Sequence, residues 1–515
     1  MKQNNRQNAH QEIDHIFKEL LPARGMAERP VQVALSHKML DAMLDDSIAL
    51  CDAGTGIGKT YAYLVAGIVF SRSRAARGLA NQPVLISTSS IALQNAVLEE
   101  YLPFLSSVLI EDRMTKTPIR AVLRKGKSHY VCDERLKQRL QAVDLTRKSP
   151  RARDALLSLR DHLDLDMAEH LSGYDRARVG VPKVCDCGRE SCRYQCFMEV
   201  CASNWYQVQI CNHNLLLADA IHRNLGRRPL LPEWSTLILD EAHKLPEAAR
   251  QMFGITLTAA EIHELIRVLR RERYLLASEN LEEAAGPVLR ELARPWDEDG
   301  TFSHFAPFLN RPNHTLELIQ KQIGTILPHR TQRQLDQLRD KTALFLQKQR
   351  DMIFYTAEDS HGGTMLCATT PNLTDQLRQT LWRQQKPMIL TSGTLAVGED
   401  FRRFKEATGL LTDSRVRESV SLSPFAYSRN CLMYVSRLPA HQGAGQYYDS
   451  LTAEIAALLD AAHGHALVLF TSYAAMSAVK ERLREQDLAY QLFTLGRNAV
   501  HTTKQFKNTP GGVLL

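Results

Sequence analysis

The chain has 515 residues, more than one hydrophobic core usually supports, so two to four domains are expected. Its 44% hydrophobic and 23% charged residues are typical of a soluble globular protein. The sequence contains neither a long apolar run nor a signal peptide, which argues against a membrane or secreted protein and favours the cytoplasm. The formal net charge of +7 suits a polyanionic partner, although an ordinary basic surface would explain it equally well.

A glycine-rich stretch at residues 52–60 lies between an apolar run at 47–51 and a second apolar run at 61–70. Strand, glycine-rich loop and helix in this order are the context of a phosphate-binding loop, whose backbone N–H groups surround phosphate oxygens. Lys59 is predicted to reach the β- and γ-phosphates of ATP, and Thr60 to hold Mg²⁺. The alternative is a glycine-rich turn before an ordinary helix, because the strict pattern holds only from Gly58 onward.

Upstream, apolar residues at helical spacing over 10–23 predict an opening helix, and Gln32 lies just before a second helical stretch. The Gln32 amide both donates and accepts hydrogen bonds, so it is a candidate for recognising adenine. The predicted nucleotide-binding residues are Gln32, Ala53, Gly54, Thr55, Gly56, Ile57, Gly58, Lys59 and Thr60.

Two further stretches are candidates for contact with nucleic acid. The predicted strand at 84–86 runs into four hydroxyl residues at 87–90, which would contact a phosphate, cap the following helix, or do both. The basic run at 120–139 contains Arg124, Lys125 and Tyr130, and cations interleaved with an aromatic ring suit a single strand.

A dense group of cysteines follows a charged, helical stretch at 140–180. Clustered thiols in a cytosolic chain indicate metal or redox chemistry. Zinc and an iron–sulfur cluster are equally compatible with the spacing of one distant and four close thiols. The candidate metal ligands are Cys132, Cys185, Cys187, Cys192 and Cys196, of which four would be used.

An apolar strand at 237–239 ends in Asp240 and Glu241, with His243 just beyond. An Asp at a strand end near a phosphate loop holds Mg²⁺, and the next carboxylate orients or deprotonates the attacking water. Lys59, Asp240 and Glu241 are therefore the predicted catalytic residues, the alternative being a helix cap after a strand. Residues 255–350 read as an inserted helical domain, and a further strand at 388–390 leads into Ser392.

Taken in order, these motifs resemble the DinG/XPD branch of superfamily 2 helicases, and more closely its bacterial DinG-like members. The resemblance covers nearly the whole chain. It is carried by Gln32, the phosphate loop at 53–60, residues 87–90, Cys132 with the later cysteines, Cys-Asn-His-Asn-Leu-Leu at 211–216, Asp-Glu-Ala-His at 240–243, Ser-Gly-Thr at 392–394 and Ser-Pro-Phe at 423–425.

The resemblance implies an α/β fold with two P-loop, RecA-like motor domains, an inserted iron–sulfur domain and an inserted helical arch domain. Motor domain one would span 1–115, 212–250 and 385–396, with the iron–sulfur domain at 116–211. The arch would span 251–384 and motor domain two 397–515. The implied activity is ATP-dependent 5′→3′ unwinding of DNA in repair or replication. Single-stranded and forked duplex DNA would be the partners of a monomer.

The resemblance also implies a [4Fe–4S] cluster beside ATP and Mg²⁺. Cys132 is then the first ligand, followed by Cys187 and Cys192. The fourth place is open between Cys185 and Cys196, and the Arg-Tyr-Gln that follows Cys192 favours Cys185.

Five cysteines for four ligand places are one departure from the family pattern, and the sequence departs from it in two further ways. It lacks the exonuclease domain that precedes some relatives, and it ends at 511–515 before the family's last motifs and their arginines. The interpretation is a C-terminally truncated chain with weak ATP hydrolysis. The alternative is a non-catalytic nucleic-acid-binding remnant. An RNA-directed helicase is a third reading, because backbone contacts do not distinguish the sugars.

Overall fold

The computed structural model describes residues 2–145, 150–182, 192–296, 301–347, 352–359, 362–438, 444–486, 488–495 and 499–515. These residues form two compact units, Met1–Phe425 and Ala426–Leu515. Within the described ranges, each helix is either too short or too polar to cross a membrane.

The first unit is built on a seven-stranded sheet whose paired strands all run parallel. In chain order, the strands of the whole first unit are β1 (Ile48–Ala53), β2 (Val84–Thr88), β3 (Ala121–Leu123), β4 (Val208–Cys211), β5 (Thr236–Asp240), β6 (Ile255–Leu257), β7 (Ile353–Glu358), β8 (Thr364–Thr369), β9 (Met388–Ser392) and β10 (Val416–Ser421). The large sheet has the order β10-β1-β9-β5-β2-β4-β3, while β6, β8 and β7 form a separate antiparallel sheet. The predicted α/β class with a parallel central sheet is confirmed.

Helices cover both faces of the large sheet, as a parallel sheet requires. The helices of the first unit are α1 (Lys2–His15), α2 (Pro30–Leu44), α3 (Lys59–Ala76), α4 (Ile91–Ala96), α5 (Leu102–Glu111), α6 (Asp133–Leu145), α7 (Pro150–Ser158), α8 (Gly173–Val179), α9 (Arg193–Ala202), α10 (His213–Asn224), α11 (Leu245–Phe253), α12 (Ala259–Arg271), α13 (Leu275–Leu292), α14 (Ala306–Ile323), α15 (His329–Gln347), α16 (Leu373–Thr380) and α17 (Arg402–Thr408).

Successive side chains of each strand point to opposite faces of the sheet, which divides the core into two layers. Ala49 and Cys51 of β1 pack with α1, α2 and α3 on one face, whereas Ile48 and Leu50 pack with α10, α11, α16 and α17 on the other. Because neither face of the sheet meets water, its central strands are almost continuously apolar.

The segment between β3 and β4 contains α6 to α9 and has a small apolar core of its own. Val131, Leu136, Leu140, Leu156 and Leu159 are among its buried members. β3 and β4, at the ends of the predicted 116–211 domain, are strands of the large sheet, so the inserted segment is shorter than predicted.

Helices α12 to α15 pack with the small antiparallel sheet around another separate core, in the part of the chain where the sequence predicts a helical insertion. The observed insertion ends earlier than the predicted 251–384 range. Leu373 and Leu377 of α16 belong to the core beneath the large sheet, together with α10 and α11.

β10 also differs from the predicted domain limits. The predicted motor domain two begins at 397, but β10 pairs along its whole length with β1 and forms an edge of the first sheet. Its exposed Arg417 and Glu418 suit an edge strand and conceal its strand pattern in the sequence.

The second unit is a smaller α/β unit. Its elements are helices α18 (Tyr427–Asn430), α19 (Ala444–Ala461), α20 (Tyr473–Glu485) and α21 (Ala499–Lys507), and strands β11 (Ala466–Leu467), β12 (Leu492–Phe493) and β13 (Val513–Leu514). β13 lies between β11 and β12 in a parallel sheet. Leu459, Val479, Leu483 and Val513 form the centre of its core.

Candidate nucleotide site at the carboxyl edge of the sheet

The predicted phosphate loop connects β1 to α3. β1 ends at Ala53 and α3 begins at Lys59, so the helix N-terminus faces the loop. Gly56 and Gly58 have φ angles of 87° and 85°, a region that residues with a Cβ rarely adopt. The Lys59 ammonium donates to the Ala53 carbonyl at 3.1 Å, which keeps this cation at the centre of the loop.

Two side chains of the segment that enters α2 hold the loop from outside. Arg29 donates through Nη1 to the Gly56 carbonyl at 2.9 Å, and Gln32 donates through Nε2 to the Gly58 carbonyl at 2.7 Å. A Cβ at Gly58 would lie 2.1 Å from Gln32 Nε2. Gln32 therefore supports the loop in this structure, and adenine recognition by its amide stays a prediction.

Register alignment brings the acidic strand end to the same edge. Asp240 lies opposite Thr391 of β9 and Thr88 of β2, while Asp52 lies opposite Ser392. Tyr63 of α3 contacts one of the predicted Mg²⁺ ligands, because its hydroxyl donates to Asp240 Oδ2 at 3.3 Å.

Asp240 is almost completely buried and adjoins a second carboxylate. Burial, followed by the charge of Glu241, raises the pKa of Asp240 to about 6. Glu241 itself has a φ of 52°, a left-handed conformation that strains a residue other than glycine. Strained backbone is frequent at functional sites, which agrees with the predicted role of this pair.

Ser392 links the acidic pair to β9. His243 Nδ1 lies 2.7 Å from Ser392 Oγ, and this hydroxyl also donates to Glu241 Oε2 at 3.3 Å. His243 Nδ1 lies 3.3 Å from the same carboxylate oxygen. The Glu241 carboxylate is thus oriented by two side chains from different parts of the chain.

Several contacts to the loop could not be predicted from the sequence, although Ser423 and Phe425 belong to one of the motifs that carry the resemblance. Asp52 Oδ2 accepts hydrogen bonds from the backbone N–H groups of Leu395 and Ala396 at 2.7 and 2.8 Å, which fixes the turn after β9. Ser423 Oγ donates to the Thr55 carbonyl at 2.7 Å. The Phe425 ring would lie 2.5 Å from a Cβ at Gly56, so it packs directly on the loop.

The structure corrects two predictions about nucleic-acid contacts. Ser87 and Thr88 are completely buried and Ser90 caps α4, so of residues 87–90 only Ser89 has an exposed side chain. Arg124 is also buried and hydrogen-bonds Gln209 and the Leu230 carbonyl.

Lys125 shows the same behaviour within the basic run. Its ammonium pairs with Asp164 and Asp166 at 2.5 and 2.6 Å. Sequence cannot distinguish a cation that pairs inside the fold from one that faces a phosphate, so these two residues were wrongly assigned to a strand-binding surface.

Of the five candidate ligand cysteines, Cys185 and Cys187 lie outside the described residues. Cys132 is buried beside Tyr130 and Val181, with Tyr194 and Phe197 of α9 packed against it. Arg193 Nε donates to Asp133 Oδ1 at 2.8 Å, so the residues that follow Cys132 and Cys192 are in contact. Cys196 is exposed on α9. Across the described ranges, no three metal-ligating side chains converge on a metal site.

Comparison with known proteins adds to this geometry. No protein-family model matches the chain. It is 27% identical to the ATP-dependent DNA helicase YoaA of Escherichia coli, over 89% of this chain and 74% of that protein. It is 26% identical to the ATP-dependent helicase DinG of Mycobacterium tuberculosis, over 90% of this chain and 74% of that protein.

The chain is a relative of the DinG and YoaA proteins. The resemblance read from the motifs is therefore confirmed at the level of the DinG-like family. A solved structure of truncated XPD is 15% identical, covers 76% of this chain and 99% of its own, and has a TM-score of 0.35, too low to bear on the fold.

Proposed function

We propose that the chain is an ATP-dependent DNA helicase that moves 5′→3′ on single-stranded or forked duplex DNA, in repair or replication. The observation that carries the proposal is the meeting of the phosphate loop, the Asp240–Glu241 pair and the Ser392 turn at one edge of a parallel sheet. Relatives named as ATP-dependent helicases, aligned over about nine tenths of the chain, support the same activity.

In this proposal Lys59 exchanges the Ala53 carbonyl for phosphate oxygens of ATP, and Thr60 and Asp240 hold Mg²⁺. The oxygen ligands of Thr60 and Asp240 suit a hard cation such as Mg²⁺. Burial and the neighbouring charge of Glu241 disfavour the ionised form of Asp240, and a bound cation would offset both effects. Bound Mg²⁺ would neutralise charge on the phosphates. Glu241, held by Ser392 and His243, would orient and deprotonate the attacking water.

The proposed domain roles follow the family pattern with adjusted limits. The large sheet, which includes β10, would be motor domain one, and Ala426–Leu515 would belong to motor domain two. The segment between β3 and β4 would be the iron–sulfur domain, and α12 to α15 with their small sheet would be the arch.

We also propose a [4Fe–4S] cluster held by Cys132, Cys187, Cys192 and either Cys185 or Cys196. The pairing of Asp133 with Arg193 supports it, because this contact holds Cys132 close to the start of α9, where Cys192 precedes the helix. When bound, the cluster would tie these two parts of the segment together.

Replacing Cys132 with serine is expected to remove most of the bound iron and acid-labile sulfide from anaerobically purified protein. Loss of a ligand from a buried position leaves the cluster incompletely coordinated. The matched control is Cys431→Ser, an exposed cysteine outside the candidate group, which should keep the wild-type iron content. Equal iron in both variants, or none in the wild type, would contradict the cluster.

Replacing Lys59 with alanine is expected to reduce ATP hydrolysis at least about 100-fold. The substitution removes the cation of the loop, which stabilises the negative charge on the transferred phosphoryl group. The measurement is steady-state ATP hydrolysis with and without single-stranded DNA. Lys38→Ala is the matched control, since Lys38 is exposed on α2.

A wild type whose hydrolysis rises with DNA and vanishes in Lys59→Ala supports the proposed motor. Hydrolysis that survives in Lys59→Ala at the wild-type rate would exclude this loop as its source. A folded wild type that binds DNA without hydrolysing ATP would favour the alternative, a non-catalytic binding protein.

A further inference from the structure

A buried carboxylate directly before the phosphate loop holds a turn that is distant in the chain. Asp52 lies in β1 next to Ala53, and only 9% of it is exposed to solvent. Its Oδ2 accepts hydrogen bonds from the backbone N–H groups of Leu395 and Ala396 at 2.7 and 2.8 Å. Among the described residues, these two N–H groups have no backbone partner. The turn at residues 393–396, here called the β9 turn, therefore depends on one carboxylate oxygen to satisfy its N–H groups.

The β9 turn lies beside the cation of the phosphate loop. A Cβ at Gly393 would be 3.4 Å from the Ala53 carbonyl oxygen and 3.6 Å from Lys59 Nζ. The same ammonium donates to the same carbonyl at 3.1 Å. In the proposed function, Lys59 exchanges this carbonyl for phosphate oxygens. A displaced turn would therefore change the space in which the ammonium makes that exchange.

The β9 turn also adjoins the serine that orients Glu241. Ser392 is the last residue of β9 and pairs with β1, whereas the pairing of β9 with β5 ends at Thr391. Ser392 Oγ donates to Glu241 Oε2 at 3.3 Å and lies 3.5 Å from Thr394 Oγ1 of the turn. Because Ser392 is paired on one side only, the position of its side chain depends on the turn that follows it.

We propose that Asp52 is a positioning residue for ATP hydrolysis, which acts by holding the β9 turn beside Lys59 and Ser392. The inference rests on the proposed function, because it concerns the same site. The Asp52 carboxylate touches neither the nucleotide nor the attacking water and acts through the backbone of the turn. Displacing reacting groups by about 1 Å can cost about 100-fold in rate. The effect is therefore expected in kcat more than in the affinity for ATP.

Asp219 of α10 offers a matched control with the same hydrogen-bond pattern. Its Oδ1 accepts from the backbone N–H groups of Leu230 and Leu231 at 2.7 and 2.8 Å, and it is 1% exposed. This segment leads into the amino end of β5, whereas the candidate site lies at the carboxyl ends of the strands. Asp219 also pairs with Arg223 at 2.7 Å, so its loss should destabilise the chain at least as much as the loss of Asp52.

The test compares Asp52→Ala, Asp52→Asn and Asp219→Ala in the full chain. The kcat and KM of ATP hydrolysis are measured with a saturating oligothymidine strand. The Kd for a non-hydrolysable ATP analogue is measured by calorimetric titration, and the thermal midpoint of each variant is recorded.

We expect Asp52→Ala to lower kcat about 30- to 100-fold and to change the Kd for the analogue less than about threefold. Asp52→Asn should keep kcat within about fivefold of the wild type, because its amide oxygen can still accept both N–H groups without the charge. Asp219→Ala should lower the thermal midpoint and keep the wild-type kcat at a temperature at which it is folded.

Three results would overturn the positioning role. A folded Asp52→Ala with the wild-type kcat removes it, and a Kd that rises as much as kcat falls assigns Asp52 to the shape of the phosphate loop instead. An equal loss of kcat in Asp219→Ala makes the effect one of general stability. If Asp52→Ala does not fold, Asp52→Val decides by the same criteria, because valine suits a strand and offers no acceptor.

The proposed function and the positioning role can fail separately. A wild type that hydrolyses no ATP overturns both. A wild type that hydrolyses ATP, with an equally active Asp52→Ala, overturns the positioning role alone.

Discussion

Replacing Asp240 with asparagine is expected to stabilise the first unit by about 2–3 kcal/mol near pH 7.5 while abolishing ATP hydrolysis. The folded chain raises the pKa of Asp240 from 3.8 to about 6, so its protonated form is favoured on folding. Well below pH 3.8 the carboxyl is neutral in both the folded and the unfolded state, so it does not affect the free energy of unfolding there. As pH rises from 4 to above 6 the folded state must hold a buried charge, at about 1.4 kcal/mol per pKa unit.

The asparagine keeps the contacts of the site. Its Oδ1 can still accept from the Glu241 N–H, as Asp240 does at 3.0 Å, and its amide can donate to the Tyr63 hydroxyl. Catalysis is lost because the neutral amide is a poor Mg²⁺ ligand. Stability and activity therefore oppose each other at this position.

Urea unfolding in a buffer with chelator and without nucleotide, at about pH 4 and about pH 7.5, measures this effect. The stabilisation should be present at the higher pH and absent at the lower. Asp154→Asn is the control, because this exposed carboxylate on α7 should change stability by less than about 0.5 kcal/mol at either pH. A gain of the same size at both pH values would argue against a titrating carboxylate.

Replacing Gly58 with alanine is expected to weaken ATP binding more than about tenfold and to destabilise the chain by roughly 1–2 kcal/mol. The φ of 85° strains a residue with a Cβ, and the new methyl group would lie 2.1 Å from Gln32 Nε2. Gln32 is buried, so it can move only by breaking its hydrogen bond to the Gly58 carbonyl. The loop then loses both its shape and its outer support.

Gly78→Ala separates the two causes, because Gly78 has a φ of 70° with open space around the position of a Cβ. It should cost about as much stability through backbone strain alone and leave the Kd for ATP unchanged. The comparison requires calorimetric titration with a non-hydrolysable ATP analogue and thermal unfolding of both variants. Equal ATP affinities in the two variants would mean that the contact with Gln32 does not shape the loop.

The loop, the acidic pair and the parallel sheet could be predicted because their signals are local. Gly58, Lys59 and Thr60 stand together in the chain, and a strand buried on both faces reads as an apolar run. The partners of these residues could not be predicted. Asp52 reaches Leu395 across 343 positions, and His213 reaches Ser87 across 126. Such contacts depend on the order of strands in the sheet, which no local pattern encodes.

The wrong predictions for Arg124, Ser87 and β10 have a different cause. Arg124 and Ser87 belong to types that usually face solvent, yet both are buried with hydrogen-bond partners. β10 escaped detection because its exposed Arg417 and Glu418 interrupt the apolar pattern of a strand. In each case the chemistry of the side chain is evident from the sequence, but its burial and its contacts, which the sequence does not reveal, determine its role.

The strand order has a consequence for synthesis of the protein on the ribosome. β1 lies between β9 and β10, so its two edges remain unpaired until segments at least about 335 residues further along the chain have been translated. At bacterial or eukaryotic translation speeds of roughly 5–20 residues per second, this delay lasts about 15–70 s. During that time an apolar strand carrying the phosphate loop has no native neighbour, and unpaired apolar strands recruit other chains. A nascent chain of this kind would be a client for chaperones that bind it until the last strands emerge.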